Sequence, residues 1–392
     1  MSRFVRDAAA AARREVGRIV ARPLYPLMAL ALPAISFVVL VGTFRAGVPA
    51  KLPVAVVDLD RTPLSRAVAR SLAATRTIDA TSVPDMAAAE RSVRRGEAYA
   101  VVVLPERMER DVLRGRTATI VCHGEAQYIL PYSLIRRAAR QTVGDAGARL
   151  EVRWRTARGQ SAAAARSGLD PAAVELHTLF NPAISYVPYF LSTVLPAMLQ
   201  VFVVMMFADV FGSELKERSG AAFLDAARGS LPAALLGKAL PHLGLFSVLA
   251  AAMLSVLFGS LGVPLRGSAP LVVAAAALFV LACAAVALLF VAFTADLRTA
   301  TSLAAIYSAP AFAFSGSAFP TVGMPLFARF WSALLPLSHF VRLLVQQASR
   351  GAAPAASAGT CGALAAFVAA GLIFGAPRYG RLLRDPRFRA AR

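Results

Sequence analysis

The chain has 392 residues, 57% of them hydrophobic and 16% charged, with a formal net charge of +20. Soluble domains run nearer 45–50% apolar and about 25% charged, so an ordinary soluble domain is excluded. The basic residues flank long apolar runs instead of lining one folded face, which excludes a nucleic-acid binder.

Residues 1–22, MSRFVRDAAAAARREVGRIVAR, carry Val5, Ala8, Ala12, Val16 and Ile19 at helical spacing, with six arginines among the rest. This predicts a cytoplasmic amphipathic helix lying in the membrane interface, with Arg13, Arg14 and Arg18 near anionic headgroups. A first span follows at 23–44, read as an uncleaved anchor because the region before it is long.

Residues 45–187 are polar enough and long enough for an independent domain. PVAVVDLD, TRTIDATS, EAYAVVVLP and TATIVCHG read as strands. Between them TPLSRAVARSLAA, PDMAAAERSVRRG and PERMERDVLRG read as helices. That alternation predicts an α/β sheet. From Gln127 to about Ala173 the pattern is helical, one or two long helices. The first strand ends in Asp58 and Asp60 with Thr62 and Ser65 close by, where helix capping by Asp60 or Thr62 is the reading preferred to phosphotransfer or metal chemistry.

Five further spans are predicted at about 188–211, 240–263, 270–294, 300–319 and 354–376, within a transmembrane region of 188–376. A basic tail, 377–392, follows. Six spans place both termini on one side. The inside segments then hold 17 Lys and Arg against 4 in the short outside ones, as the positive-inside rule requires. The fold class is thus an α-helical polytopic membrane protein of six spans, with an α/β extracytoplasmic domain between spans 1 and 2.

The segment 212–239 is placed in the cytoplasm, because FGSELKERSG concentrates Glu214, Lys216, Glu217 and Arg218 in ten residues. Each would cost roughly 2.5–3.5 kcal/mol at the bilayer centre. Phe223, Leu224 and Ala227 then offer an apolar face, and Pro232 can start the next helix. Toward the other side, residues 309–342 carry prolines on both sides of glycine, tolerable at membrane depth only where protein or water satisfies the freed backbone. The segment 320–350 is therefore expected to be re-entrant from outside. Asp209 and Asp296 lie near the inner ends of spans. The cysteines Cys122, Cys283 and Cys361 and the histidines His123, His177, His242 and His339 show neither disulfide nor metal-ligand spacing.

Two stretches carry a family resemblance. Glu214, Lys216, Glu217 and Gly220, then Gly237–Lys238, resemble the elements after the second span and before the third in type-2 ATP-binding-cassette permeases, with one residue inserted before the glycine. Ser315, Gly316, Phe319, Pro320, Met324, Pro325, Leu335, Pro336, Ser338, His339 and Phe340 resemble that family's Ser-Gly…Pro…Met-Pro…Leu-Pro pattern in order. The resemblance implies the permease subunit of an exporter for a hydrophobic or amphipathic substrate, of the long-ectodomain multidrug or lipid branch, in a bacterial inner membrane. ATP and Mg would bind a partner ATPase, with no cofactor on this chain, and a second permease copy or paralogue would complete the transporter. A periplasmic membrane-fusion adaptor and an outer-membrane channel are implied by the same analogy. Glu214, Lys216, Glu217, Arg218, Gly220 and Phe223 would couple to the ATPase. Ser315, Gly316, Phe319, Pro320, Met324, Pro325, Pro336 and His339 would form the outer gate. No G-x-x-x-x-G-K-[ST] occurs, LLGKAL being nearest, so nucleotide hydrolysis by this chain is not expected. A non-transporting envelope scaffold or receptor, and an ion-coupled secondary transporter, are the alternatives.

Overall fold

The structure, a computed structural model, describes residues 3–388 apart from 23, 115, 126, 160, 162–179 and 182. The last part of the helical region expected up to Ala173, together with His177 and residues 389–392, lies outside the described residues. The chain divides into two compact units, one of 1–46 with 185–392 and one of 47–184.

The first unit opens with α1 (Arg3–Val20) and α2 (Leu27–Phe44). Its remainder is α7 (Val187–Lys216), the short α8 (Gly220–Ala226), α9 (Leu231–Ser260), α10 (Ala269–Thr294), α11 (Leu297–Ser308), α12 (Leu326–Ala333), α13 (Pro336–Leu344) and α14 (Pro354–Arg384). Five of these, α2, α7, α9, α10 and α14, are long and apolar enough to cross a membrane. α10 is apolar on all sides and the larger part of it is buried among the other helices, as an all-round apolar helix requires. It packs against α7, α9, α13 and α14, and Phe279 stacks on Phe340 of α13 with centroids 4.7 Å apart.

The span expected at 300–319 is not one helix. α11 stops at Ser308, Pro310 follows, and a separate turn covers Ala311–Phe314. Proline lacks the N–H that would continue the ladder, and α11 alone, 12 residues, is about 18 Å long at 1.5 Å per residue. α9 starts earlier than expected, at Leu231, so residues 231–239 of the anticipated coupling segment are already helix.

In the second unit, β1 (Leu52–Asp58), α3 (Pro63–Ala73), β2 (Ile78–Val83), α4 (Met86–Arg94), β3 (Ala100–Leu104), α5 (Met108–Leu113), β4 (Val121–Gly124) and α6 (Ile129–Ala157) follow in order. The sheet runs β2-β1-β3-β4, parallel except for β4 against β3. Successive residues of β1 enter different cores. Leu52, Val54 and Val56 pack with Val68 and Leu72 of α3 and Ile135 of α6. Ala55 and Val57 meet Ala89 of α4 on the opposite face. A strand covered on both faces reads as a continuous apolar run, which is why VAVV does not alternate. Thr62 caps α3 in a reciprocal box with Ser65, and Asp58 accepts from the Ser65 hydroxyl at 2.8 Å. Asp60 receives the Thr62 hydroxyl at 2.7 Å and the Glu109 N–H at 2.9 Å. Desolvation pushes the Asp60 carboxyl up, but these bonds outweigh it and hold its pKa below the ordinary value. Both aspartates are thus occupied in fixing helix starts.

Candidate functional site

α7 ends where Arg218 takes a left-handed conformation, φ 53°, and the Ser219 N–H turns back to the Glu214 carbonyl. A left-handed pair, Arg228 and Gly229, turns the chain from α8 into α9, with Pro232 in the first turn of α9. The three helix ends so assembled surround one carboxylate.

Glu214 is fully buried, at 0% exposure. Arg14 of α1 donates to it through both guanidinium nitrogens, at 2.8 and 3.1 Å, and Arg18 and the Ser219 hydroxyl donate as well. Lys238 of α9 donates to the same carboxylate at 2.8 Å and to Glu15 of α1 at 2.8 Å. The Lys238 ammonium and the Arg14 guanidinium also lie over the Phe223 ring of α8, 5.6 and 5.8 Å from its centroid, a cation–π arrangement. Two buried carboxylates thus face three cations, each with a hydrogen-bonded partner, the condition under which buried charge is tolerated. Burial pushes the Glu15 carboxyl up, but the His242 hydrogen bond and the Lys238 charge outweigh it and bring its pKa to about 2.

Gly237, beside the lysine, explains how α1 comes so close. A Cβ there would stand 2.3 Å from the Ala8 carbonyl oxygen and 2.6 Å from Ala11 Cβ, so any larger residue would push α1 off α9. The Gly237–Lys238 pair therefore works as a unit: the glycine admits the helix and the lysine ties it.

The clamp continues toward a cavity. Glu15 Oε1 lies 3.0 Å from His242 Nε2, and the Tyr25 hydroxyl bonds His242 Nδ1. An ionised Glu15 only accepts, so Nε2 donates to it. Tyr25 is also a wall of a cavity of about 680 Å³ between α2 and α7, shared with Met28, Phe202, Met205 and Thr301. Arg22 and Asp209, an ion pair at 3.7 Å, border the same cavity. Arg18 and Arg22 both donate to Glu217.

Of the expected coupling residues, Lys216, Glu217 and Arg218 are exposed, whereas Glu214, Gly220 and Phe223 are buried. Glu214 is thus an internal tie, not the open ionic end that its sequence neighbourhood suggests. In α1, Arg13 is exposed, but Arg14 and Arg18 turn inward to Glu214, away from the expected place among headgroups. The stripe against the protein is Ala8, Ala11 and Glu15, while Val5 and Val16 are exposed. Glu15, His242 and Tyr25 are the residues that sequence reasoning did not assign to the site, and Lys238 entered it only through the Gly237–Lys238 resemblance. For Glu15 one signal was present, an acid continuing an alanine stripe at helical spacing on an arginine-rich helix.

The expected gate residues gather elsewhere in the unit. Ser315 is buried and bonds the Phe312 carbonyl at 2.7 Å, and Gly316 takes φ 90°. Phe319, Pro320 and Pro325 are exposed, while Met324 and Pro336 are buried. His339 Nε2 lies 3.0 Å from the Ala333 carbonyl oxygen. The neighbouring Ser317 bonds Thr193 of α7 at 2.7 Å, and Gln200 of α7 accepts from the Leu337 N–H at the start of α13 at 2.9 Å. Thr193 and Glu214 are 21 residues apart on α7, about 30 Å along a helix. One helix therefore meets the Ser317 and Leu337 segments toward one end and carries the ion cluster at the other.

Stacked spanning helices and a buried ionic clamp at one end define a multi-pass membrane protein. A family model for ABC-2 family transporter proteins matches residues 26–376, and the chain belongs to that family. It is accordingly a transport membrane subunit of the ABC-2 permease type, a family that implies an ATPase partner. A search of the curated proteins found no match.

Proposed function

We propose that this permease exports a hydrophobic or amphipathic molecule from the cytoplasm or inner leaflet, driven by ATP hydrolysis on a separate ATPase subunit. The observation that carries this reading is the continuous hydrogen-bonded path from Glu214 through Lys238, Glu15 and His242 to Tyr25 in the cavity wall. The exposed rim of Lys216, Glu217 and Arg218 receives the ATPase. Force on that rim moves α7, α8 and α1 together, because no buried charge in the clamp can leave its partners cheaply. The cavity between α2 and α7 then changes shape around the substrate. Its apolar and methionine-rich wall suits varied hydrocarbon, and the Arg22–Asp209 pair at its border suits a polar head.

In the topology that goes with this reading, α11 with the turn to Phe314 makes the fifth of six crossings. Both termini are cytoplasmic, the unit of residues 47–184 is periplasmic, and α12 with α13 is the re-entrant hairpin of the outer gate. Two permeases, of one kind or two, act over two ATPase copies in a bacterial inner membrane. An adaptor and an outer-membrane channel extend the route. The ATPase must bind two states of the permease with different affinity.

Co-purification tests the rim. K216E/R218E should lower the recovery of ATPase with the permease while the melting temperature of the permease stays unchanged. Full recovery together with unchanged transport would remove the rim from coupling.

A further inference from the structure

α9, α10 and α14 leave a second groove, of about 530 Å³, between them. Ala285 and Leu288 of α10 form its floor, with Leu235 and Ala239 of α9 and Leu372 of α14 at its sides. No hydroxyl, amide or charged side chain lines it, so a water inside would lack partners. All three helices are long and apolar enough to span a bilayer, and an all-apolar groove between them suits hydrocarbon. It shares no lining residue with the cavity between α2 and α7.

One end of the groove closes where α14 meets the start of α9, and a Cβ on Gly380 would stand 2.4 Å from the Leu231 side chain. Arg381 adjoins that contact and Arg384 follows one turn later, and both are exposed. Neither takes part in an ion pair among the described residues. The nearby Asp385 carboxylate accepts from the Arg387 N–H at 2.9 Å. A hydrocarbon slot whose α14 wall ends at Pro377, with Arg381 and Arg384 one and two turns further along the same helix, is complementary to one class of molecule. We propose that the groove binds an acyl chain of an anionic phospholipid, with the headgroup phosphate held by Arg381 and Arg384.

The full-length protein, equilibrated with vesicles of equal phosphatidylglycerol and phosphatidylcholine and then extracted, reports its retained lipid by native mass spectrometry. The wild type should keep phosphatidylglycerol preferentially. R381Q/R384Q should weaken that lipid about thirty-fold, the combined effect of two basic contacts at a membrane surface, and weaken phosphatidylcholine much less, because the choline cation offsets the charge of the same phosphate. Filling the slot from either wall, with A239F or with L372W, should release one lipid per chain, and either variant serves if the other fails to fold. The proposal is overturned if a folded wall variant retains the wild-type lipid count, or if R381Q/R384Q keeps the phosphatidylglycerol preference. It is equally overturned if the wall variants alter the number of permease copies instead of the number of lipids, since a second copy would then be the occupant.

Discussion

Lys238 stands at the centre of the clamp because one ammonium serves Glu15 and Glu214 at 2.8 Å each while only 1% of it is exposed. Replacing it with methionine leaves two carboxylates buried without their shared cation. Loss of one partner from a buried pair costs about 3–5 kcal/mol, so K238M should lower the thermal midpoint in detergent clearly, while K216M at the exposed rim should leave it nearly unchanged. Equal midpoints for the two variants would mean that the clamp adds nothing to stability. Acid acts on the same residues. The Glu15 pKa is brought from 4.5 to about 2, so its charged form favours the docked α1. That stabilisation is complete above pH 4.5 and is lost as pH falls toward 2. Spin labels at G17C and L240C, in a chain lacking its native cysteines, should hold a constant separation from pH 7 to 4.5 and move apart below it.

Among the elements, α1 shows how a sequence pattern can be read on the wrong face. Val5, Val16 and the arginines suggest an apolar side toward lipid and a basic side toward headgroups. The structure has α1 lying on α9, with Arg14 and Arg18 directed at Glu214. The reason is distance along the chain: Arg14 and Glu214 are 200 residues apart, and no local periodicity reports such a partner. The docking depends on the empty Cβ position at Gly237. G237V should separate α1 from α9 and lengthen the same label distance at neutral pH, with the α9 helix itself intact. An unchanged distance would show that α1 adjusts around the added methyls. The charged decapeptide FGSELKERSG divides in a similar way. Its exposed members Lys216, Glu217 and Arg218 stand where solvation requires, while Glu214, the first of its charges, is taken into the interior by partners from two other helices.

For the whole molecule, the two compact units have separate hydrophobic cores. The unit from 47 to 184 closes its sheet with helices on both faces and caps its first helix internally. Expressed without the spans, it should give a soluble fragment with one cooperative melting transition, measured by circular dichroism. A fragment that shows no transition would mean that the unit folds only when tethered.

The sequence by itself determined the spanning helices, since runs of hydrocarbon side chains have no other stable place, and it determined the strand and helix alternation of the second unit. It also determined the family, because prolines and glycines at fixed spacing impose backbone breaks that few folds accommodate. The stop of α11 before Pro310 was equally local, since proline cannot continue the ladder, whereas only tertiary structure decided that α1 faces protein and that Glu214 is an internal tie. Those outcomes rest on contacts between residues far apart in sequence, where the free energy of pairing a buried charge outweighs what hydropathy or local charge density would favour.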